Sequence, residues 1–166
     1  MDQFKHIFDE HYAGLVDFAM WYTQDSAAAE DIVQTVFINV WEKKDDLLQK
    51  PNLKYYLFRA VKNRCLNYLR DTAKLATEEL NDFQTSDSEP SAIEQINQKE
   101  LSQNIDRWIN ELPPACRRVF VLSRKEEMSH KEIAELLDIS TKTIENQITK
   151  ALKYLRMKIN EHGRRG

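Results

Sequence analysis

Thr141, Lys142, Thr143, Glu145, Asn146, Gln147 and Lys150 gather hydroxyls, amides, a carboxylate and two ammonium groups within ten residues. Ile144, Ile148, Ala151, Leu152 and Leu155 run between and beyond them at helical spacing, so the polar groups fall on the opposite side of one helix. Groups of these kinds reach base edges and phosphates in a major groove. Such a helix has to be held at its N-terminal end. Ser129 with Glu132 has the spacing of a capping box, and Ile133, Ala134, Leu136 and Leu137 give the segment it opens one apolar face. That helix is too short to stand alone. Asp138 tolerates a left-handed turn, Ile139 plugs the angle and Ser140 can cap the next helix. Residues 129–156, SHKEIAELLDISTKTIENQITKALKYLR, therefore read as a helix-turn-helix whose second helix faces DNA. The alternative is an ordinary helix pair with a solvated polar face; the tight turn and the amide-rich start of the second helix weigh against it.

Catalytic chemistry has little support. There is no Gly-rich phosphate loop and no nucleophile with a matching His and Asp, and the carboxylates are scattered without a metal-ligand cluster. Cys65 and Cys116 stand far apart with no Cys-x-x-Cys pairing, so they read as buried free thiols. His6, His11, His130 and His162 lack metal spacing. No enzyme, metal or cofactor is expected. A helical nuclease or deaminase-like enzyme is the competing class, and divalent-metal-dependent cleavage of nucleic acid would reveal it. A dimeric regulator is the other, but it would need a ligand or phosphorylation domain in residues 1–74, where the strand alternation of a receiver is missing.

The chain has 166 residues, 42% of them apolar, with three Gly and four Pro, a composition that favours long helices over sheet. The expected fold class is all-α. The start, MDQFKHIFDEHY, has neither a basic nor an apolar leader region, and no run approaches a membrane span, so a soluble cytoplasmic protein without membrane insertion is expected. Net charge is −3 but segregated. Residues 1–51 carry four basic and ten acidic side chains, 52–74 six and one, 75–111 two and nine, 112–140 five and five, and 141–166 seven and two. Two basic blocks separated by an acidic one point to two contacts on a polyanion.

Helical periodicity marks Phe4, Ile7, Phe8, Leu15, Phe18 and Tyr22. A second helix, opened by Asp25 or Ser26, should bury Ile32, Val33, Val36, Phe37, Val40 and Trp41. A third, with Pro51 suited to its first turn, should hold Leu53, Leu57, Ala60, Val61, Cys65, Tyr68 and Leu69 inside. On that third helix Lys54, Arg59, Lys62, Arg64 and Arg70 can neutralise phosphates, Asn63 and Asn67 can bond to bases, and Tyr55 and Tyr56 offer ring faces, although Tyr56 is assigned to the core. Residues 75–90 are acidic, Ser/Thr-rich and aperiodic, as a flexible linker is. Ser91 with Glu94 makes another capping box for a helix through Ile96, Leu101, Ile105 and Trp108, and Pro113-Pro114 restarts the chain into a helix holding Val119, Phe120 and Leu122. The expected domains are 1–74 and 91–166, joined by 75–90.

Three motifs in order then carry a resemblance over nearly the whole chain. Ala29-Glu30-Asp31-Ile32-Val33-Gln34-Thr35-Val36-Phe37 with Trp41, Tyr56-Leu57-Phe58-Arg59-Ala60-Val61-Lys62-Asn63-Arg64 with Tyr68-Leu69-Arg70, and Leu112-Pro113-Pro114 with the helix-turn-helix resemble the extracytoplasmic-function (ECF) sigma factors of bacterial transcription initiation. The resemblance implies two small helical domains joined by a flexible linker, the N-terminal one a three-helix promoter-opening domain. It implies that Asp31, Gln34, Phe37 and Trp41 dock on the clamp helices of the largest subunit of core RNA polymerase. Tyr55, Arg59, Lys62, Asn63, Arg64, Asn67 and Arg70 would engage the minus-ten element, and residues 44–52, expected as a loop, would form a pocket for a flipped base. Thr141, Lys142, Thr143, Glu145, Asn146, Gln147 and Lys150 would read the minus-35 element of promoter DNA, and an anti-sigma factor would control the protein. Glu145-Asn146-Gln147 stands where many members are more basic, and Asp138 replaces a frequent Gly.

Overall fold

The computed structural model describes residues 2–78 and 100–165, which are helical and contain no strand among the described residues. The chain divides into two compact units, Met1–Ser91 and Ala92–Gly166. The Ser91–Glu94 cap, Ile96 and most of the 75–90 segment fall outside the described residues.

The first unit is built on three long helices, α1 (Asp2–Thr23), α2 (Ser26–Glu42) and α4 (Leu53–Glu78), with a single turn of helix, α3 (Lys44–Leu47), between the second and the last. Gln24 takes φ 51°, which turns the chain back on itself. Asp25 then caps α2: its Oδ1 accepts from the amides of Ala27 at 3.0 Å and Ala28 at 3.2 Å. The three long helices enclose Leu15, Phe18 and Ala19 of α1, Ile32, Val33, Val36, Phe37 and Val40 of α2, and Leu57, Phe58, Val61 and Cys65 of α4. Phe18 meets Phe58 edge-to-face at 5.1 Å, joining α1 to α4.

Several expectations change here. Residues 44–52 are not an open loop, because Lys44–Leu47 is helical and Leu47 is driven into the core at 5% exposure. Pro51 lies outside the helix it was expected to start: the Tyr56 amide donates to the Asn52 carbonyl at 3.0 Å, and α4 opens at Leu53. Leu69 is 37% exposed rather than interior, since burial along α4 ends with Cys65. Trp41 and Tyr56, assigned inside, are only half-buried. The helix also continues to Glu78, past residue 74.

The second unit comprises α5 (Glu100–Glu111), α6 (Pro114–Arg124), α7 (His130–Leu137) and α8 (Thr141–Arg165). Trp108, Ile109 and Leu112 pack with Cys116, Phe120, Ala151 and Leu155, tying α5 and α6 to the middle of α8. Pro113 sits at the cap of α6 in an extended conformation, and Pro114 occupies the first turn, where no amide hydrogen is required. The Tyr154 hydroxyl donates to Glu111 at 2.6 Å, a second tie between α8 and α5.

Candidate nucleic-acid and partner interfaces

The turn between α7 and α8 has the chemistry the sequence indicates. Ser129 Oγ accepts from the Glu132 amide at 3.1 Å, and Glu132 Oε1 accepts from the Ser129 amide at 3.0 Å, a complete capping box. Asp138 closes α7 in the left-handed conformation (φ 60°, ψ 45°). Two residues later Ser140 Oγ accepts from the Thr143 amide at 3.1 Å and caps α8. Ile133 and Leu136 of α7 and Ile144 and Ile148 of α8 are buried, so the angle between the helices is fixed by apolar contact.

What α8 turns outward is narrower than the sequence list. Thr141, Lys142, Glu145, Asn146 and Lys150 are exposed. Thr143 is half-buried, and its hydroxyl pairs with Ser140 Oγ at 2.9 Å. Gln147 is also half-buried, with its backbone carbonyl accepting from the Cys116 thiol at 3.2 Å. The sequence reading passed over Lys153, which is exposed and stands at the helical i+7 position from Asn146. Continuing the Lys142–Asn146 spacing by another two turns would have found it.

On α4 the structure brings Tyr55, Arg59, Lys62, Asn63 and Arg70 toward one side. Arg59 Nη1 donates to the Tyr55 hydroxyl at 3.2 Å, and Arg70 Nη2 donates to Asn67 Oδ1 at 2.8 Å, so both guanidinium groups are oriented along the helix. Asn67, whose amide oxygen takes that bond, is exposed at the edge of this face. Arg64 is exposed but separated from Arg59 by about 140° around the helix, which takes it to another flank. Leu66, 45% exposed, interrupts the basic face.

Asp31 and Gln34 stand exposed on α2. Gln34 Nε2 donates to the Tyr12 hydroxyl at a long 3.4 Å, whereas the Asp31 carboxylate has no side-chain partner among the described residues. Gln34 edges an apolar groove of about 370 Å³ lined also by Phe4, Phe8, Phe37, Ile38 and Trp41. Phe37, expected at the contact, is 2% exposed and forms the groove floor, ringed by Phe4, Phe8 and Tyr12 at 6.2, 4.9 and 6.4 Å. Trp41 lies at the rim with the Lys44 ammonium 3.9 Å from its ring centroid. Ile38, 58% exposed, was missed because it falls off the core period of α2; an apolar residue outside the stripe was the available signal.

Burial pushes the Cys65 thiol up to about 11, and Cys116 is raised by the same cause with Lys150 opposing it. Among the described residues no His, Cys, Asp and Glu cluster could hold a metal ion, and no helix is long and apolar enough to cross a membrane.

Comparison with known proteins follows the same two units. Residues 7–75 match the family described as Sigma-70 region 2, and residues 102–155 match Sigma-70, region 4. The RNA polymerase sigma-E factor of Streptomyces avermitilis is 30% identical over 134 residues, covering 80% of this chain and 71% of that protein. The ECF RNA polymerase sigma factor RpoE of Cereibacter sphaeroides is 27% identical over 149 residues, covering 89% and 81%. Against one longer relative the chain spans only 34% of the length. In fold, the chain is similar to the sigma factor RpoE of Bartonella quintana, solved in complex with the anti-sigma factor NepR, with a TM-score of 0.60, 21% identity, and coverage of 96% of this chain and 98% of that one. The chain belongs to the ECF subfamily of RNA polymerase sigma factors, which direct the polymerase to promoters.

Proposed function

We propose that residues 1–74 capture core RNA polymerase and open the minus-ten element, that residues 91–166 read the minus-35 element, and that 75–90 connects them. In this reading Asp31 and Gln34 offer acceptors to the clamp helices of the largest subunit, Trp41 borders the contact and Phe37 supports it from beneath. The ten acidic against four basic side chains of residues 1–51 suit a basic partner surface. Arg59, Lys62 and Arg70 neutralise backbone phosphates while Asn63, Asn67 and Tyr55 meet unstacked bases, with Arg64 contributing from its own flank. The protein performs no chemistry itself, needs no cofactor and works in the cytoplasm. An anti-sigma factor holds it when it is not needed, as the Bartonella relative is held in its complex.

The observation that supports this most is the start of α8. Thr141, Lys142, Glu145 and Asn146 are exposed with no side-chain hydrogen bond or ion pair among the described residues, on a helix capped by Ser140 and held by a buried seam against α7, which has its own capping box. Runoff transcription with core polymerase on a promoter library tests the reading: initiation at a discrete promoter class should require the chain. Removing Arg59 and Lys62 should impair strand opening more than upstream recognition. Specific duplex binding with no affinity for core polymerase would instead favour a conventional dimeric regulator.

A further inference from the structure

The outward face of α8 is not uniformly cationic. Thr141, Lys142, Glu145 and Asn146 occupy positions 1, 2, 5 and 6 of the helix, two adjacent residues on each of two successive turns. The two other threonines nearby are already engaged: Thr143 with Ser140, and Thr149 through its hydroxyl to the Glu145 carbonyl at 2.9 Å. Glu145 is the acceptor-only member of this set, exposed and without a side-chain partner among the described residues. Lys142, one turn before it, makes no ion pair with it.

A carboxylate pressed toward DNA phosphates is repelled, so such a side chain is compatible with a reading helix only where it meets a donor. In the major groove the donors are the N4 amino group of cytosine and the N6 amino group of adenine. Adenine sets an N7 acceptor beside its amino group, which opposes the second carboxylate oxygen. Cytosine has no such acceptor on its own edge. Guanine presents two acceptors and thymine one, and both repel the charge.

We infer that Glu145 is a base-selecting residue that demands cytosine at one position of the upstream element, adjacent to the pair met by Asn146. The inference rests on the reading in which α8 enters the major groove. Selection works largely through rejection: guanine at that position is the worst base, and the discrimination against it is about tenfold to a hundredfold.

The test is runoff transcription by the full chain with core polymerase on promoters randomised across the upstream element, for the wild type, Glu145→Ala and Glu145→Gln. The wild type should demand cytosine at a single position. Glu145→Ala should lose that preference alone. Glu145→Gln should move it toward adenine, because an amide accepts from N6 and donates to N7 together. Glu145 is exposed, so both variants should melt with the wild type. Unchanged base preferences in both variants would overturn the inference, and so would an equal fall on every promoter, which would mean a contact with phosphate or protein. A wild-type holoenzyme that initiates without regard to upstream sequence would overturn the reading of α8 itself and the inference with it.

Discussion

Replacing Asp31 and Gln34 together by Lys separates capture of polymerase from folding. Asp31 has no side-chain partner among the described residues, and Gln34 has one long bond of 3.4 Å to Tyr12. Loss of the latter should cost at most about 0.5 kcal/mol, as for exposed substitutions generally. The pair of changes adds three positive charges to a segment with ten acidic and four basic groups, which relieves self-repulsion rather than adding to it. Stability should therefore change by less than about 0.5 kcal/mol. Binding should respond very differently, because removing one member of an interfacial charge pair costs roughly 2 to 5 kcal/mol and reversal adds like-charge repulsion. Affinity for core polymerase should fall at least about thirtyfold. Phe37→Ala supplies the contrast. At 2% exposure, with three aromatic neighbours, it should cost about 3 to 5 kcal/mol of folding free energy and lose binding only as a consequence of that. Competition binding to core polymerase beside thermal unfolding followed by circular dichroism reads both quantities. Retained affinity in the double variant would remove these residues from the interface, and a melting shift as large as that of Phe37→Ala would show that their side chains were structural.

Ser129→Ala should destabilise the C-terminal unit by about 1 kcal/mol, and combining it with Glu132→Ala should cost less than the two single changes added, since the capping bonds at 3.1 and 3.0 Å are reciprocal; a thermal-melt double-mutant cycle measures this. His11 is 9% exposed, and burial lowers its pKa against the opposing pull of Glu10, with Lys54 and His6 adding to the lowering. The unfolded chain therefore binds the extra proton first, so stability of the N-terminal unit should decline as pH falls from about 7 toward 5, and His11→Gln should flatten that slope in melts taken across the range. Cys65 and Cys116 are 0% and 1% exposed with raised pKa values, so a thiol reagent at neutral pH should modify either only at the rate of opening; a rapid stoichiometric reaction in the native protein would contradict this burial.

Local chemistry was legible wherever it is settled by neighbours in sequence. The Ser129–Glu132 box, the left-handed Asp138 and the Ser140 cap all depend on groups within four residues, and each forms as the sequence indicates. Periodicity, by contrast, identifies a face without saying how far a partner extends along it. Leu69 continues the apolar stripe of α4, but that helix runs 26 residues, about 39 Å, against 17 residues, about 26 Å, for α2, so the stripe outlasts its cover. Phe58 shows the opposite error: it lies on the ridge beside Leu57, yet it is buried, with Phe18 of α1 packed edge-to-face on its ring. Phe37 was read as core and as contact at once, and both follow from its place as the floor of a groove whose rim is Gln34, Ile38 and Trp41. Residue types therefore announced which surfaces are polar, basic or apolar. Which atoms of those surfaces remain free for a partner is decided in part by bonds between helices such as Gln34 to Tyr12 and Tyr154 to Glu111, formed only once the helices are in place.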